Sequence, residues 1–317
     1  MPARRLAALG LALALVTPAP ILADDAAVLP PVKAPKVGDR RACVRRFTTT
    51  MTMTIRSPGR EADKHESSSI ARSRVLATVR DLAADGSVEG LALAVRSRRR
   101  LSPTVGGETD PLASHRLIIA KGALKSLDGA APSLDAEDAW KLDRDTTPFL
   151  LPDLVSGHRG KALPADGRLE LNPAAIKAHL ELRSGTIRFK TCEAKVKSRD
   201  AEQLIATVTL SAVDERENAP RLELEATGEL RISLPDGRLS ALELKGTLGL
   251  SEDRMGRSIR GAGELDLKVR FGPPALLETK PETGAPKTSR DADDSSDVVK
   301  PGETPGDAIP GSQRKGS

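Results

Sequence analysis

The chain has 317 residues, 2% of them aromatic and 29% charged, with a net charge of +5, of which Arg4 and Arg5 supply two. That length accommodates two modest domains, or one large β domain with unstructured ends. Four Phe, one Trp and no Tyr cannot furnish the stacking platforms of a single-strand nucleic-acid binder or the two aromatic girdles of an outer-membrane barrel, and so small a net charge argues against a specific nucleic-acid partner.

Residues 1–23 have the layout of a secretory signal. Arg4 and Arg5 precede an apolar run from Leu6 to Val16, and Pro18 and Pro20 break it before Ile21-Leu22-Ala23. Eleven apolar residues are too few to span a bilayer, and no later segment approaches that length. An extracytoplasmic product, periplasmic or secreted, is expected, with no transmembrane segment in the mature chain. In such an oxidising setting the two cysteines, Cys43 and Cys192, are expected to form a disulfide.

Residues 24–38 form an extended Pro-rich leader. The segment 39–103 carries strand periodicity. Phe47, Met51, Met53 and Ile55 share one parity and Thr48, Thr50, Thr52 and Thr54 the other. Further strands follow near Ile70–Leu82 and Val88–Arg98, joined at Asp85-Gly86, a dipeptide suited to a tight hairpin. Residues 104–184 form a mixed helix and loop insertion. Leu112–Leu127 and Asp135–Leu142 are weakly helical, and Asn172-Pro173 is an N-cap with Pro at the first helical position. The helix it opens runs through Leu182, with Ile176 and Leu180 as its apolar stripe.

From 185 to 272 the alternation is cleaner. Leu222, Leu224, Ala226, Gly228, Leu230 and Ile232 face one side, and Glu223, Glu225, Thr227, Glu229 and Arg231 the other. An apolar parity that flips between Phe189 and Cys192 predicts a bulge. Leu82–Leu93, Leu163–Leu171 and Leu234–Leu244 repeat one Asp-Gly pattern, which reuse of the same turn explains more simply than duplication. Residues 273–317, rich in Pro, Gly, Asp, Ser and Thr, cannot bury enough apolar surface to offset their ordering entropy and are expected to be disordered.

No catalytic motif is present. His65, His115, His158 and His179 are scattered, without metal-ligand spacing. Gly157-His-Arg-Gly160-Lys161 lacks the Ser/Thr of a phosphate-binding loop. The acidic group Asp135, Glu137 and Asp138 suits a helix N-terminus. No catalytic residue, metal or cofactor is expected.

One constellation carries chemistry. Arg46, Arg72, Arg74, Arg80, Arg96, Arg98 and Arg100 occupy the polar parity of the first three strands. If those strands pair as a meander, the guanidinium groups share one sheet face suited to an envelope polyanion, because their forks match phosphate. The fold expected is mainly β, with antiparallel meanders forming a β-sandwich or a half-open barrel with a short helical insertion. The half-open barrel is similar in architecture to the periplasmic carriers of lipoproteins and lipids, a resemblance that implies an apolar or amphiphilic ligand and transfers no residue. The leading expectation is therefore a non-catalytic binder of such a ligand. An envelope module using the arginine face comes second, and a hydrolase with a dispersed site third.

Overall fold

The structure is a computed structural model and describes residues 27–102, 106–109, 116–120, 123–126, 149–150, 152–180, 186–214, 220–254 and 256–278. Among the described residues twelve strands build one antiparallel sheet: β1 (Arg40–Arg56), β2 (Asp63–Leu82), β3 (Val88–Ser102), β4 (Gly106–Thr109), β5 (Arg116–Ala120), β6 (Ala123–Ser126), β7 (Arg168–Glu170), β8 (Ile187–Arg199), β9 (Gln203–Asp214), β10 (Arg221–Ser233), β11 (Leu239–Arg254) and β12 (Arg257–Gly272). Their order is β6-β5-β3-β2-β1-β12-β11-β10-β9-β8-β7, with β4 on β3. The two ends of this path do not pair, so the sheet is open. The first strand pairs with the last from Ala42–Gly272 to Arg56–Ser258. That closure over sequence distance joins the two meanders into one sheet instead of leaving two sheets to pack face to face.

The inner face is the one that carries the single helix of the described residues, α1 (Pro173–His179). Its start follows from local chemistry. The Asn172 side chain accepts the Ala174 N–H at 3.0 Å, satisfying a donor that the first turn cannot use. Ile176 and Leu180, the expected stripe, are buried and belong to one apolar cluster with inner-face residues of seven strands, among them Cys43, Phe271, Leu242, Leu230, Val208, Ala194 and Leu169. The helix ends sooner than the expected Leu182, with Leu180 as its C-cap. A smaller cluster of Val75, Ala77, Val79, Leu91, Leu93, Val95 and Leu117 lines β2, β3 and β5.

Where a pattern repeats, the structure repeats it. In each Asp-Gly copy the aspartate Oδ1 accepts the N–H two residues on: Ser87 at 2.9 Å from Asp85, Arg168 at 3.0 Å from Asp166, and Arg238 at 3.1 Å from Asp236. Gly86, Gly167 and Gly237 all take positive φ, 80°, 69° and 68°, a conformation that L side chains resist. The expected bulge is also present: the β8–β9 register shifts between Phe189 and Thr191.

Two expectations are corrected. The run 112–127 is not helical where it is described, because 116–120 and 123–126 are strands that extend the β3 edge; Leu117-Ile118-Ile119 suits a strand, and an exposed edge offers unpaired main-chain groups to it. Asp135–Leu142 lies outside the described residues. Pro274–Leu277 forms a 3-10 turn folded onto the outer face, where Leu276 meets Gly272 and the Leu277 carbonyl accepts from Arg74. Order therefore extends at least to 278. The Pro-rich leader belongs to the fold as well. Leu29 is fully buried and exchanges main-chain bonds with Gly160 and Lys161, and Lys33 N–H donates to the Asp236 carbonyl at 2.9 Å.

Candidate functional site

The strand register lays the inner face out in rows. At the turn end, Cys43 faces Phe271, and Arg45 faces Val269 and Ser73. These rows lie under α1. Arg45 is 2% exposed; its Nη2 donates to the His179 carbonyl at 3.1 Å, and its guanidinium lies 5.1 Å from the Phe47 ring centre. A buried guanidinium on a helix C-terminal carbonyl is a favourable use of both charges.

The other end is built differently. Met51 faces Gly263, Met53 faces Gly261, and Ile55 faces Ile259. Gly261 in turn faces Leu250, and Leu250 faces Leu222. Met51, Met53, Ile55, Leu250 and Leu222 are half-buried and belong to neither buried cluster. This apolar strip crosses four neighbouring strands. Its rim carries exposed cations: Arg254 faces Arg257 across the β11–β12 turn.

Three inward glycines decide the sheet's shape. A Cβ on Gly228 would stand 1.8 Å from the Glu243 carbonyl oxygen, on Gly246 2.1 Å from that of Glu225, and on Gly263 2.0 Å from that of Thr50. The neighbouring main chain already fills those spaces. These glycines, stepping diagonally across β10, β11 and β12, let the sheet bend toward its inner face; they leave no room there for a ligand. Gly261 differs, since its nearest neighbours are the side chains of Leu250, Met51 and Met53 at 3.1–3.3 Å.

The predicted arginines divide. On the outer face Arg46 lies between Arg72 and Lys268. The Arg72 guanidinium is pushed below its ordinary pKa by burial first and the charge of Arg46 second. Arg74 stands opposite Val44, with Arg270 on that strand's other side. Arg80 is exposed at a register irregularity between Val79 and Asp81. The register between β2 and β3 is interrupted by a bulge. Between β2 and β3 the register shifts, with Arg74 opposite Ser97 and Val75 opposite Val95, so Arg96 is the extra residue. Beyond it Arg99 stands opposite Arg72, while Arg98 and Arg100 stand opposite Ser73 and Ala71, which occupy inner-face rows.

The expected disulfide is also corrected: Cys43 and Cys192 are both thiols. Cys43 is on β1 and Cys192 on β8, with β12, β11, β10 and β9 between them. Following the register from Cys192 through Leu210, Ala226, Gly246 and Leu265 leads to Thr49, not Cys43. A disulfide requires Cα atoms within about 7 Å. The Cys192 Sγ instead donates to the Leu171 carbonyl at 3.6 Å, and burial pushes its pKa up to about 11.

Sequence reasoning missed Arg45, which sits on the apolar parity of β1, and a cleft of about 400 Å³ at the turn end, lined by Lys33, Lys36, Asp39, Arg41, Asp236 and Arg238 among others. Among the described residues no group of three His, Cys, Asp or Glu side chains could hold a metal ion, and no helix is long and apolar enough to cross a membrane.

No protein-family model and no curated protein sequence matches the chain. Similar solved structures include lipovitellin, in a study of its lipid–protein interactions, with 8% identity over 73% of this chain and a TM-score of 0.34; the match spans 25% of the lipovitellin chain. They also include an outer membrane channel from Pseudomonas putida F1, with 10% identity, 76% and 98% coverage and a TM-score of 0.20, and a LolA superfamily protein from Nitrosomonas europaea, with 13% identity, 74% and 90% coverage and a TM-score of 0.13.

Proposed function

We propose that the protein is an extracytoplasmic binder of an anionic single-chain amphiphile, acting by binding and not by turnover. The observation that carries this reading is the half-buried strip of Met51, Met53, Ile55, Leu222 and Leu250 on the inner face. Large apolar residues at the centre of a sheet are normally covered, and methionine adapts its shape to flexible chains. The rim supplies the complement for an acidic head, because Arg254 and Arg257 stand at the same strand ends. The signal layout of residues 1–23 supports a location outside the cytoplasm, where such amphiphiles need carriage through water.

Native mass spectrometry of the full chain, purified from a bacterial periplasm, tests the reading. The expected result is an added mass, lost on denaturation, extractable into organic solvent and at least tenfold depleted in Met51→Ser/Met53→Ser. A bare monomer that takes up no palmitate would overturn it, and a dimer would assign the strip to a second copy instead.

A second reading rests on the row formed by Arg72, Arg46 and Lys268, a cationic stripe on the outer face suited to an envelope polyanion. Arg46→Glu/Arg72→Glu should then elute earlier from a heparin column, and unchanged retention would dismiss the stripe.

A further inference from the structure

The turn end of the sheet holds a second, unrelated feature. There the Pro-rich leader crosses the β10–β11 hairpin, and between them opens the cleft of about 400 Å³. Five cations line it, Lys33, Lys36, Arg40, Arg41 and Arg238, against two carboxylates, Asp39 and Asp236. The two carboxylates are already engaged. Asp236 binds Arg41 Nη1 at 2.7 Å and accepts the Arg238 N–H, and Asp39 Oδ2 accepts the Lys36 N–H at 2.9 Å. Lys33, Lys36 and Arg40 have no carboxylate partner among the described residues.

The inner two guanidiniums are held in place before any ligand arrives. Arg41 donates Nη2 to the Leu239 carbonyl at 2.9 Å. Arg238 is 6% exposed, donates Nη2 to the Lys33 carbonyl at 2.7 Å and stacks 5.1 Å from the centre of the Phe149 ring. Arg238 is pushed below its ordinary pKa by burial first and by the charge of Arg41 second, against the opposing pull of Asp236 and Asp39. Fixed forks and excess charge in a concave site are what a phosphate group requires.

We infer that this cleft binds a soluble, phosphate-bearing solute, larger than inorganic phosphate and about the size of a sugar phosphate, with Arg238 and Arg41 as its fixed donors and Lys33, Lys36 and Arg40 as its mobile ones. The site stands apart from the amphiphile strip, at the opposite ends of the same strands, and does not depend on that reading.

Calorimetric titration of the full chain with pyrophosphate, at low and at physiological salt, tests it. Binding is expected to weaken at least tenfold in Lys33→Gln/Lys36→Gln/Arg40→Gln, whose side chains are exposed and whose loss spares the fold. It should strengthen a few-fold in Asp39→Asn and stay unchanged in Arg188→Gln/Lys197→Gln on β8. Arg238→Gln should abolish binding; if that variant does not fold, the exposed triple still decides. Equal affinity in the triple variant and the parent, or no binding at low salt, would overturn the inference. So would binding to phosphatidylglycerol vesicles, lost in the triple variant, without pyrophosphate binding, because the phosphate would then belong to a membrane.

Discussion

Arg45 on β1 and His179 at the end of α1, 134 positions apart, are joined by one hydrogen bond from the Arg45 Nη2 to the His179 carbonyl at 3.1 Å. The bond ties the helix to the strand that closes the sheet and satisfies a carbonyl the helix leaves unused. Arg45→Met keeps most of the volume but strips His179 of this donor. A buried acceptor deprived of its partner costs about 1–3 kcal/mol. Urea unfolding should show that loss, while Arg231→Met, on the exposed outer face, should stay within about 0.5 kcal/mol of the parent. Equal losses in both variants would mean that the Arg45 bond has no special role.

The glycine diagonal makes a contrast within one strand. A Cβ on Gly246 would meet main-chain atoms at 2.1 Å and 2.7 Å, whereas on Gly249 the nearest atom is the Glu223 Cβ at 3.6 Å. Main chain cannot step aside as a side-chain tip can. Gly246→Ala should therefore destabilise by about 1–3 kcal/mol or more, as overpacking does. Gly249→Ala should be neutral or slightly stabilising, because it lowers the entropy of the unfolded chain. If Gly246→Ala matches the parent's stability, the sheet does not depend on that bend.

The strands and hairpins were legible because one face is apolar and the other charged: parity survives wherever side chains on the two faces differ, as along Leu222–Ile232. It fails where both parities are polar. Arg96-Ser97-Arg98-Arg99-Arg100 carries no contrast, so nothing in it betrays the bulge that exchanges Arg99 for Arg98 across from Arg72. The Cys43–Cys192 pairing failed for a related reason, since counting cysteines says nothing of the four strands between them. The turn-end cleft needs the leader, the β10–β11 hairpin and Phe149 together, and long-range assembly of that kind leaves no local periodicity. Asn172 and the Asp-Gly turns were readable because their bonds close within three residues.

On the outer face Arg46 stands directly opposite Arg72, with Lys268 on its other side. Like charges in cross-strand register are destabilising. Arg72→Glu exchanges a repulsion for an attraction and should raise stability by about 0.2–1 kcal/mol at low ionic strength. In 1 M salt the Debye length falls to about 3 Å and most of the gain should vanish. Paired urea melts at the two salt concentrations would show it. A variant less stable than the parent at low salt would mean that packing of the Arg72 stem outweighs its charge.

The Cys192 thiol, pushed up to about 11 by burial from an ordinary 9.0, predicts both reactivity and a pH dependence. Because the thiolate is the nucleophile, native protein at pH 8 should react slowly with a thiol reagent, and denatured, unreduced protein should yield two thiols per chain. One disulfide in place of two thiols would refute the arrangement of Cys43 and Cys192 described above. The sign of the stability effect follows from the order of ionisation. Below pH 9 both states keep the proton and nothing changes. Between pH 9 and 11 the unfolded chain loses its proton first and is favoured, so stability falls as pH rises. Partial exposure of Cys192 limits this loss to about 1 kcal/mol. Comparing the parent with Cys192→Ser in urea melts across that interval isolates it, and parallel stability profiles for the two proteins would show that the Cys192 thiol titrates alike folded and unfolded.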